Sequence, residues 1–160
     1  MLEVVGGSRM TPDRARKFIS IASAVAQLSK DPSTKVGAVA LSSVGAVLSV
    51  GYNGFPRGMD DSPERYNDRS IKLAFVVHAE QNLVAQAARE GVRLAGCTIV
   101  ISGLFPCSSC AKSLIQAGVV RVITPPPREH SSWKESNRQA MELFKECGVV
   151  VNIINRGESE

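Results

Sequence analysis

Apolar residues recur with two different periods in the first third of the chain, and these periods predict a helix followed by two strands. Between residues 15 and 28 they lie three and four positions apart, which is typical of one face of a helix. The Thr-Pro-Asp tripeptide at 11–13 favours a helix start there, because threonine caps, proline suits the first turn and aspartate complements the dipole. Short apolar runs at residues 36–41 and 46–50 flank a turn at 42–45 and predict a hairpin.

The rest of the chain begins with its longest polar stretch and then alternates between predicted helices and strands. Residues 52 to about 71 are rich in glycine, proline, aspartate and arginine and predict a long loop, either functional or disordered. Beyond it a helix is predicted to begin after Leu73 and end at Arg89, with Phe75 and Val76 on its apolar side. Further strands are predicted at 98–101, 119–123 and 149–154, and further helices at 107–116 and 132–147. This order predicts one three-layer α/β/α domain over residues 1–160, with a largely parallel sheet and a core at about 11–154.

Composition and charge favour a globular protein that binds a small anion. The 160 residues are 44% apolar and 21% charged, and no apolar run approaches the length of about 20 residues needed to span a bilayer. The first residues lack the features of a signal peptide, so a cytoplasmic protein is expected. The net charge of +4 is mild, basic residues are scattered and aromatic residues make up 5%, which argues against a nucleic-acid partner.

The four cysteines fall into two groups. Cys97 and Cys147 stand alone beside apolar segments and are interpreted as small packing residues. Cys107 and Cys110 have the Cys-x-x-Cys spacing of a metal or redox pair, and a disulfide is not expected in a reducing compartment.

The tripeptide His78-Ala-Glu80 and the Pro-Cys-Ser-Ser-Cys segment at 106–110 together match the H-x-E and P-C-x-x-C signature of zinc deaminases. Both motifs lie near predicted helix starts, where the dipole favours thiolates, and Cys107 and Cys110 share one face of the first turn. His78 and the two cysteines would supply three zinc ligands. Three ligands leave the fourth position open for water, whereas a structural zinc site normally closes with four.

Glu80 is predicted to transfer protons rather than to bind the metal. It lies two residues from His78, a spacing poorly suited to binding the same ion, but close enough to act on water and on the leaving amine. Taken alone, Glu80 would be an ordinary first-turn glutamate stabilised by the helix dipole. The second histidine, His130, could in principle complete the metal shell, but it is interpreted as a solvated loop residue.

Five stretches of the sequence resemble the deoxycytidylate (dCMP) deaminase family. They are SKDPSTKVGA at 29–38, GYNGFPRG at 51–58, HAEQN at 78–82, LFPCSSCAK at 104–112 and IQAG at 115–118. The resemblance implies the cytidine deaminase fold with a five-stranded mixed sheet and one catalytic zinc per chain. It also implies hydrolysis of dCMP to dUMP and ammonia, which would feed thymidylate synthesis. The family is commonly hexameric, activated by dCTP with Mg²⁺ and inhibited by dTTP.

The resemblance assigns further roles to individual residues that would contact the substrate. Asn53 would hydrogen-bond the sugar, although by itself it could be a residue that ends a hairpin. Ala79 would offer its backbone N–H to the base. For the 5′-phosphate the candidates are Ser29, Lys30 and Lys35, with Arg128 as a further possibility.

The polar stretch resembles the effector-binding segment of the family. Arg57 has the chemistry to meet a triphosphate, and Gly54 and Gly58 permit close backbone approach. Asp60 and Asp61 could hold a Mg²⁺ ion that bridges phosphate oxygens. The alternatives are a mobile loop and a solvated turn.

Three other functions remain open at this point. A tRNA adenosine deaminase shares both metal motifs, but the stretches at 29–32 and 51–54 and the weak basic character argue against it. A zinc-stabilised interaction domain would not need Glu80, and a redox pair would not need His78.

Overall fold

The computed structural model describes residues 10–129 and 132–155, so His130 lies outside the described residues. The helices are α1 (Pro12–Ala26), α2 (Pro63–Asn67), α3 (Arg69–Phe75), α4 (Ala79–Glu90), α5 (Ser108–Gln116) and α6 (Lys134–Glu146). The strands are β1 (Gly37–Leu41), β2 (Val47–Tyr52), β3 (Thr98–Ser102), β4 (Arg121–Thr124) and β5 (Val150–Ile153). None of the helices in the described ranges is both long and apolar enough to span a membrane.

The five strands form one mixed sheet in the order β2-β1-β3-β4-β5. Strand β1 is antiparallel to both β2 and β3, whereas β3, β4 and β5 are parallel to one another. The expectation of a largely parallel sheet is therefore wrong for half of the pairings. The reason is the hairpin: β2 and β3 run in the same direction, as the alternation predicted, but β1 lies between them.

Helices cover both faces of the sheet, which confirms the three-layer prediction. The alternation of side chains along each strand divides the core into two clusters. On one face α1 packs on Val39, Leu41, Val100 and Ile123. On the other face α4, α5 and α6 pack on Ala38, Ala40, Ile99, Ile101 and Val122. The two predicted zinc-binding motifs belong to the second layer, since they lie at the starts of α4 and α5.

Two strand glycines let a helix lie directly on the sheet. A Cβ atom at Gly37 would overlap the Ala22 carbonyl oxygen of α1. A Cβ atom at Gly51 would overlap the Ala79 carbonyl oxygen of α4. Close contact at Gly51 fixes the first turn of α4, and therefore its two motif residues, against β2.

The segment before α4 differs most from its prediction. Residues 52–71 are not a continuous loop, because α2 and most of α3 lie within them. The helix predicted from Leu73 to Arg89 is broken between Phe75 and Ala79, where Val77 and Gly54 exchange two backbone hydrogen bonds of 2.8 and 3.1 Å. This bridge holds the chain in an extended conformation, so Phe75 lies at the end of α3 and is 50% exposed instead of facing the core.

Candidate active site

The starts of α4 and α5 bring His78, Cys107 and Cys110 together. His78 and Cys107 are the N-cap residues of these helices, and Cys110 lies in the first turn of α5. The Nδ1 atom of His78 lies 3.5 Å from the Cys107 Sγ and 3.4 Å from the Cys110 Sγ. Among the described residues, these three form the group of metal-ligand side chains whose donor atoms all lie within 4.8 Å of one another.

The spacing of these atoms fits a zinc ion. Zn–S bonds of about 2.3 Å and a Zn–N bond of about 2.0–2.1 Å at a tetrahedral angle require N···S separations of about 3.5–3.6 Å. The observed distances of 3.4 and 3.5 Å agree with this requirement. The donor set of one imidazole and two thiols also suits a borderline-soft metal.

The electrostatics of the cluster favour a thiolate. A hydrogen bond from the Cys110 thiol, followed by one from His78, lowers the pKa of Cys107 to about 4. The hydrogen bond between the two cysteines, together with burial, raises the pKa of Cys110. The hydrogen bond between His78 and Cys107 raises the pKa of His78. The chain therefore stabilises one negative charge here without a metal, and a cation at this point would favour the second thiolate.

Glu80 lies in the first turn of α4 beside the cluster. It is 4% exposed, and burial raises the pKa of its carboxyl group. Its own backbone N–H and the nearby His78 oppose this effect only in part. A buried carboxyl group with a raised pKa, next to a metal site, is suited to accept and return protons near neutral pH.

A cavity of about 640 Å³ connects the cluster to the other candidate residues. His78, Glu80 and Cys107 line one end of it. Ala79 also lines it, and as the first residue of α4 its N–H group has no acceptor within the helix. The helix start therefore presents a backbone donor beside the metal ligands.

Asn53 lines the same cavity and is held by backbone groups. Its Oδ1 accepts a hydrogen bond of 2.8 Å from the Val36 N–H, and its Nδ2 donates one of 2.8 Å to the Thr34 carbonyl. Both amide protons are used, since Nδ2 also donates to Asp31 at 3.4 Å. The group left for a ligand is the second lone pair of Oδ1.

Comparisons with known proteins agree with the family that the motifs around His78 and Cys107 indicate. Residues 12–125 match the family described as the cytidine and deoxycytidylate deaminase zinc-binding region. The chain belongs to this family. It is 39% identical to deoxycytidylate deaminase of Mus musculus over 82% of this chain and 74% of the relative. It is also 39% identical to an uncharacterised deaminase of Aliivibrio fischeri, over 86% of this chain and 90% of the relative.

A solved structure extends the likeness to the fold. The dCMP deaminase of cyanophage S-TIM5, in its apo form, superposes with a TM-score of 0.71 and 25% identity, covering 91% of this chain and all of that one (100%). The predicted cytidine deaminase fold is confirmed, and this member of the family is a hydrolytic deaminase.

The three residues predicted for the phosphate do not line the cavity. Ser29 is buried, and its hydroxyl donates to the Asn53 carbonyl at 2.7 Å. Lys30 pairs with Asp61 at 2.8 Å, and Lys35 donates to the Ser29 carbonyl at 2.7 Å. These side chains support the entry to β1, and their role as a phosphate cradle stays a prediction.

Other cations line the cavity in their place. Arg69 and Lys72 come from α3, and Arg128 follows β4. Within the part of the chain that the structure describes, Arg69 and Arg128 have no ion-pair or hydrogen-bonding partner. Arg128 was a candidate from its sequence. Arg69 and Lys72 were not, because the predicted loop extended to about residue 71 and the predicted helix began only after Leu73, so that α3 was not recognised as an element.

An aromatic residue also escaped the sequence interpretation. Trp133 lines the cavity, and its ring meets that of His78 edge-on with 6.0 Å between centroids. Asn137 of α6, which donates to the Pro106 carbonyl at 3.4 Å, lies nearby on the cavity wall. Neither residue belongs to a recognisable motif. Their position beside the cavity follows from the way the start of α6 packs in the folded structure.

The residues predicted for effector binding lie apart from the cavity. Arg57 is exposed and donates to Gln86 of α4 at 2.8 Å, and Gly58 has a positive φ of 85°. Asp60 pairs with Arg65 at 3.3 Å, and Asp61 pairs with Lys30. Gly54 forms the bridge to Val77. A magnesium ion at Asp60 and Asp61 would compete with both ion pairs, and its binding stays a prediction.

Proposed function

We propose that this deaminase converts dCMP and water to dUMP and ammonia. The observation that carries the proposal is that one cavity is lined by His78 and Cys107 of the metal-ligand cluster, by the buried Glu80, by Asn53 and by two arginines that have no partner within the described residues. The cluster and Glu80 match the reacting amine of a pyrimidine nucleotide, Asn53 matches its sugar, and the arginines match its 5′-phosphate. The deoxycytidylate deaminases among the relatives are consistent with this substrate.

At the reacting end of the cavity, His78, Cys107 and Cys110 would hold one zinc ion. Such a three-ligand zinc site supplies a nucleophile at neutral pH by lowering the pKa of water. Glu80 accepts a proton from the attacking water and transfers it to the ring nitrogen. It then accepts the proton of the added hydroxyl group and transfers it to the leaving amine, which departs as ammonia. Its raised pKa suits both directions of transfer.

The chain's own donors and acceptors would orient the rest of the substrate. The Ala79 N–H group donates to the carbonyl oxygen of the base, and Asn53 Oδ1 accepts from a sugar hydroxyl. Arg69 and Arg128 are the cations available to the phosphate. Lys72 is less suited, because its ammonium group is already engaged by Asp31 and Ser33 at 2.7–2.9 Å.

The phosphate assignment is tested with nucleotide and nucleoside substrates. Ammonia release is measured from dCMP, deoxycytidine, CMP and dCTP, and kcat/KM for dCMP is expected to exceed that for deoxycytidine by at least about 100-fold. Arg128→Met should reduce this preference while zinc content is kept. Lys112→Met, which removes an exposed lysine of α5, is the matched control. Equal kcat/KM values for dCMP and deoxycytidine would contradict a nucleotide substrate.

The proposal also includes regulation and context, which rest on the family resemblance. The enzyme would act in the cytoplasm as a homo-oligomer, commonly a hexamer, and supply dUMP for thymidylate synthesis. Activation by dCTP with Mg²⁺ and inhibition by dTTP would use the segment that contains Arg57, Asp60 and Asp61. The exposure of Arg57 and the two surface ion pairs of this segment are consistent with a site that can exchange partners.

A further inference from the structure

A buried ion pair lies beside the substrate cavity and is not used by the proposed chemistry. Asp31, in the connection between α1 and β1, is 1% exposed, and Lys72 of α3 is 19% exposed. The Lys72 Nζ lies 2.7 Å from Asp31 Oδ2 and 2.9 Å from Oδ1. Burial by itself raises the pKa of Asp31, but hydrogen bonds from Lys72, Ser33 and Thr34 outweigh it, so the pKa lies below its ordinary value.

The Asp31 carboxylate organises the turn that follows it. Its Oδ1 accepts hydrogen bonds from the Ser33 N–H at 2.9 Å, the Thr34 N–H at 3.1 Å and the Ser33 hydroxyl at 3.1 Å. Its Oδ2 accepts from the Asn53 Nδ2 at 3.4 Å. One carboxylate therefore fixes the backbone of residues 31–36 and also contacts Asn53 directly.

Lys72 connects this turn to a helix that has little other anchorage. No residue of α3 is buried, and its Leu73 and Phe75 are among the exposed large apolar residues. The Lys72 ammonium group has three protons and three acceptor atoms nearby, two on Asp31 and the Ser33 hydroxyl at 2.8 Å. The lysine thus holds α3, and the cavity wall that α3 forms, against the turn.

The orientation of the Asn53 amide depends on this arrangement. The Thr34 carbonyl and the Asp31 carboxylate can only accept, so both face the Nδ2 group, and the Val36 N–H can only donate, so it faces Oδ1. All of these groups belong to residues 31–36, which Asp31 organises. The amide therefore presents an acceptor to the cavity and no donor.

We propose that Asp31 and Lys72 are positioning residues that set the sugar specificity of the cavity through Asn53. Their ion pair holds the amide so that Oδ1 accepts from a hydroxyl of the substrate. A deoxyribose with a 5′-phosphate and a base has one free hydroxyl, the 3′-OH, so this is the group that the acceptor selects. The inference rests on the proposed nucleotide substrate, and the role assigned to the ion pair is to act through Asn53.

Removing Lys72 should weaken recognition of the 3′-hydroxyl more than it weakens the reaction in general. Without the lysine, Asp31 is a buried charge lacking its counter-ion, and it must take up water or a proton, which loosens residues 31–36. The probe is the ratio of kcat/KM for dCMP to that for 2′,3′-dideoxycytidine 5′-monophosphate, which lacks only that hydroxyl. Both substrates carry base and phosphate, so general damage to the enzyme cancels from the ratio.

We expect a ratio of about ten or more for the unmodified enzyme and of about two or less for Lys72→Met, with zinc content unchanged. Lys72→Arg keeps a cation that can reach Asp31 and should retain most of the ratio. Lys17→Met is the matched control, because it breaks the exposed Lys17–Asp13 ion pair of 2.9 Å on α1 and should leave the ratio unchanged. If Lys72→Met does not fold, Lys72→Gln, which keeps a donor without the charge, is measured instead and should also lower the ratio.

The outcomes separate this inference from the proposed function. An enzyme that discriminates between the two nucleotides, with a ratio that Lys72→Met and Lys72→Gln leave unchanged, would overturn the role of the ion pair and keep the dCMP assignment. An enzyme that deaminates neither nucleotide would overturn both. A ratio that falls in the lysine variants and persists in Lys72→Arg supports the inference.

Discussion

Two of the predicted metal ligands occupy equivalent positions in the fold. His78 and Cys107 are each the N-cap of a helix and have extended backbones, with ψ values of 157° and 168°. An N-cap side chain lies over the free N–H groups of the first turn, where negative charge is favourable. The Cys110 N–H accordingly lies 3.5 Å from the Cys107 Sγ. The helix start therefore stabilises the thiolate that a metal needs.

Zinc binding and proton transfer should separate in single variants. Glu80 is predicted not to bind the metal, and Glu80→Gln keeps the shape of its side chain. We therefore expect this variant to fold and to retain about one zinc per chain. Its rate should fall by a factor of about 10²–10⁴ or more. His78→Ala removes a ligand and should lose both metal and activity. Zinc content by atomic spectroscopy and ammonia release from dCMP measure the two effects.

Glu90→Gln is the control for the glutamate, since Glu90 lies exposed at the other end of α4. Its rate and zinc content should match those of the unmodified enzyme. Loss of zinc from Glu80→Gln would show that Glu80 is a ligand, and a fully active Glu80→Gln would exclude it from proton transfer.

Residues whose neighbours are close in sequence were predictable, and residues that depend on distant neighbours were not. The two residues of the Cys-x-x-Cys pair lie within one helical turn, and so do those of the His-x-Glu pair. Their spacing in the sequence is therefore enough to predict that they lie close together. Ser29 and Lys35 lie in a stretch of sequence that resembles the deaminase family. In the structure, however, their side chains donate to the backbone carbonyls of Asn53 and Ser29. Their position in the sequence does not show which way a side chain points.

At the scale of elements, the fit of α1 onto β1 depends on a missing side chain. Gly37 lies opposite the backbone of Ala22 and Ala26, and its Cβ would lie 2.7 Å from the Ala26 nitrogen and closer still to the Ala22 oxygen. Backbone cannot rotate away as a side chain can. Any larger residue at this position must push α1 away from the sheet.

Gly37→Ala should therefore destabilise the protein more than an ordinary glycine substitution. We expect a loss of at least about 2 kcal/mol in the free energy of unfolding, or about 5 °C in Tm, because α1 must shift. Gly148→Ala is the matched control: its φ of 73° is strained for alanine, but a Cβ there meets nothing within 4 Å. That variant should lose about 1 kcal/mol. Equal losses in thermal unfolding would show that α1 can adjust to the extra methyl group.

The elements that were predicted best have a clear period and a local start or end signal. Helix α1 begins as expected at Pro12, after the Thr11 cap, whose side chain accepts from the Arg14 N–H at 3.2 Å. The segment of α2 and α3 has little buried surface to reveal it, since α2 buries only Tyr66 among its residues and α3 buries none. Its helices are set by caps such as Asp68, which accepts from Ser70 and Ile71, and a polar cap resembles a polar loop in sequence.

At the scale of the whole molecule, the cavity combines residues from separate parts of the chain. Asn53 follows β2, Arg69 lies on α3, Glu80 on α4, Cys107 before α5, and Arg128 follows β4. The two zinc-binding motifs could be assigned to one site from the sequence, because each motif is recognisable by itself. The cationic part of the cavity could not be predicted, because isolated arginines belong to no motif. Only the folded structure shows that their segments lie beside the same cavity.

The proposed regulation would be a property of an assembly of several chains. If the enzyme is an oligomer with an effector site in the segment that contains Arg57, we expect a sigmoidal dependence of rate on dCMP. The curve should become hyperbolic with dCTP and Mg²⁺, and dTTP should suppress the rate, because each effector would favour a different state of the assembly. Initial rates over a range of dCMP concentrations, with and without each triphosphate, measure this response.

Arg57→Ala should weaken the response to both triphosphates and leave zinc content unchanged, because Arg57 is exposed and its hydrogen bond is to Gln86, not to the metal cluster. Arg16→Ala removes an exposed arginine from α1 and should keep the full response. A hyperbolic curve that neither triphosphate alters would leave the catalytic assignment intact, because the cavity and the segment with Arg57 share no residue among the groups that would bind substrate. It would also mean that the ion pairs of Asp60 and Asp61 with Arg65 and Lys30 serve to hold the segment in place.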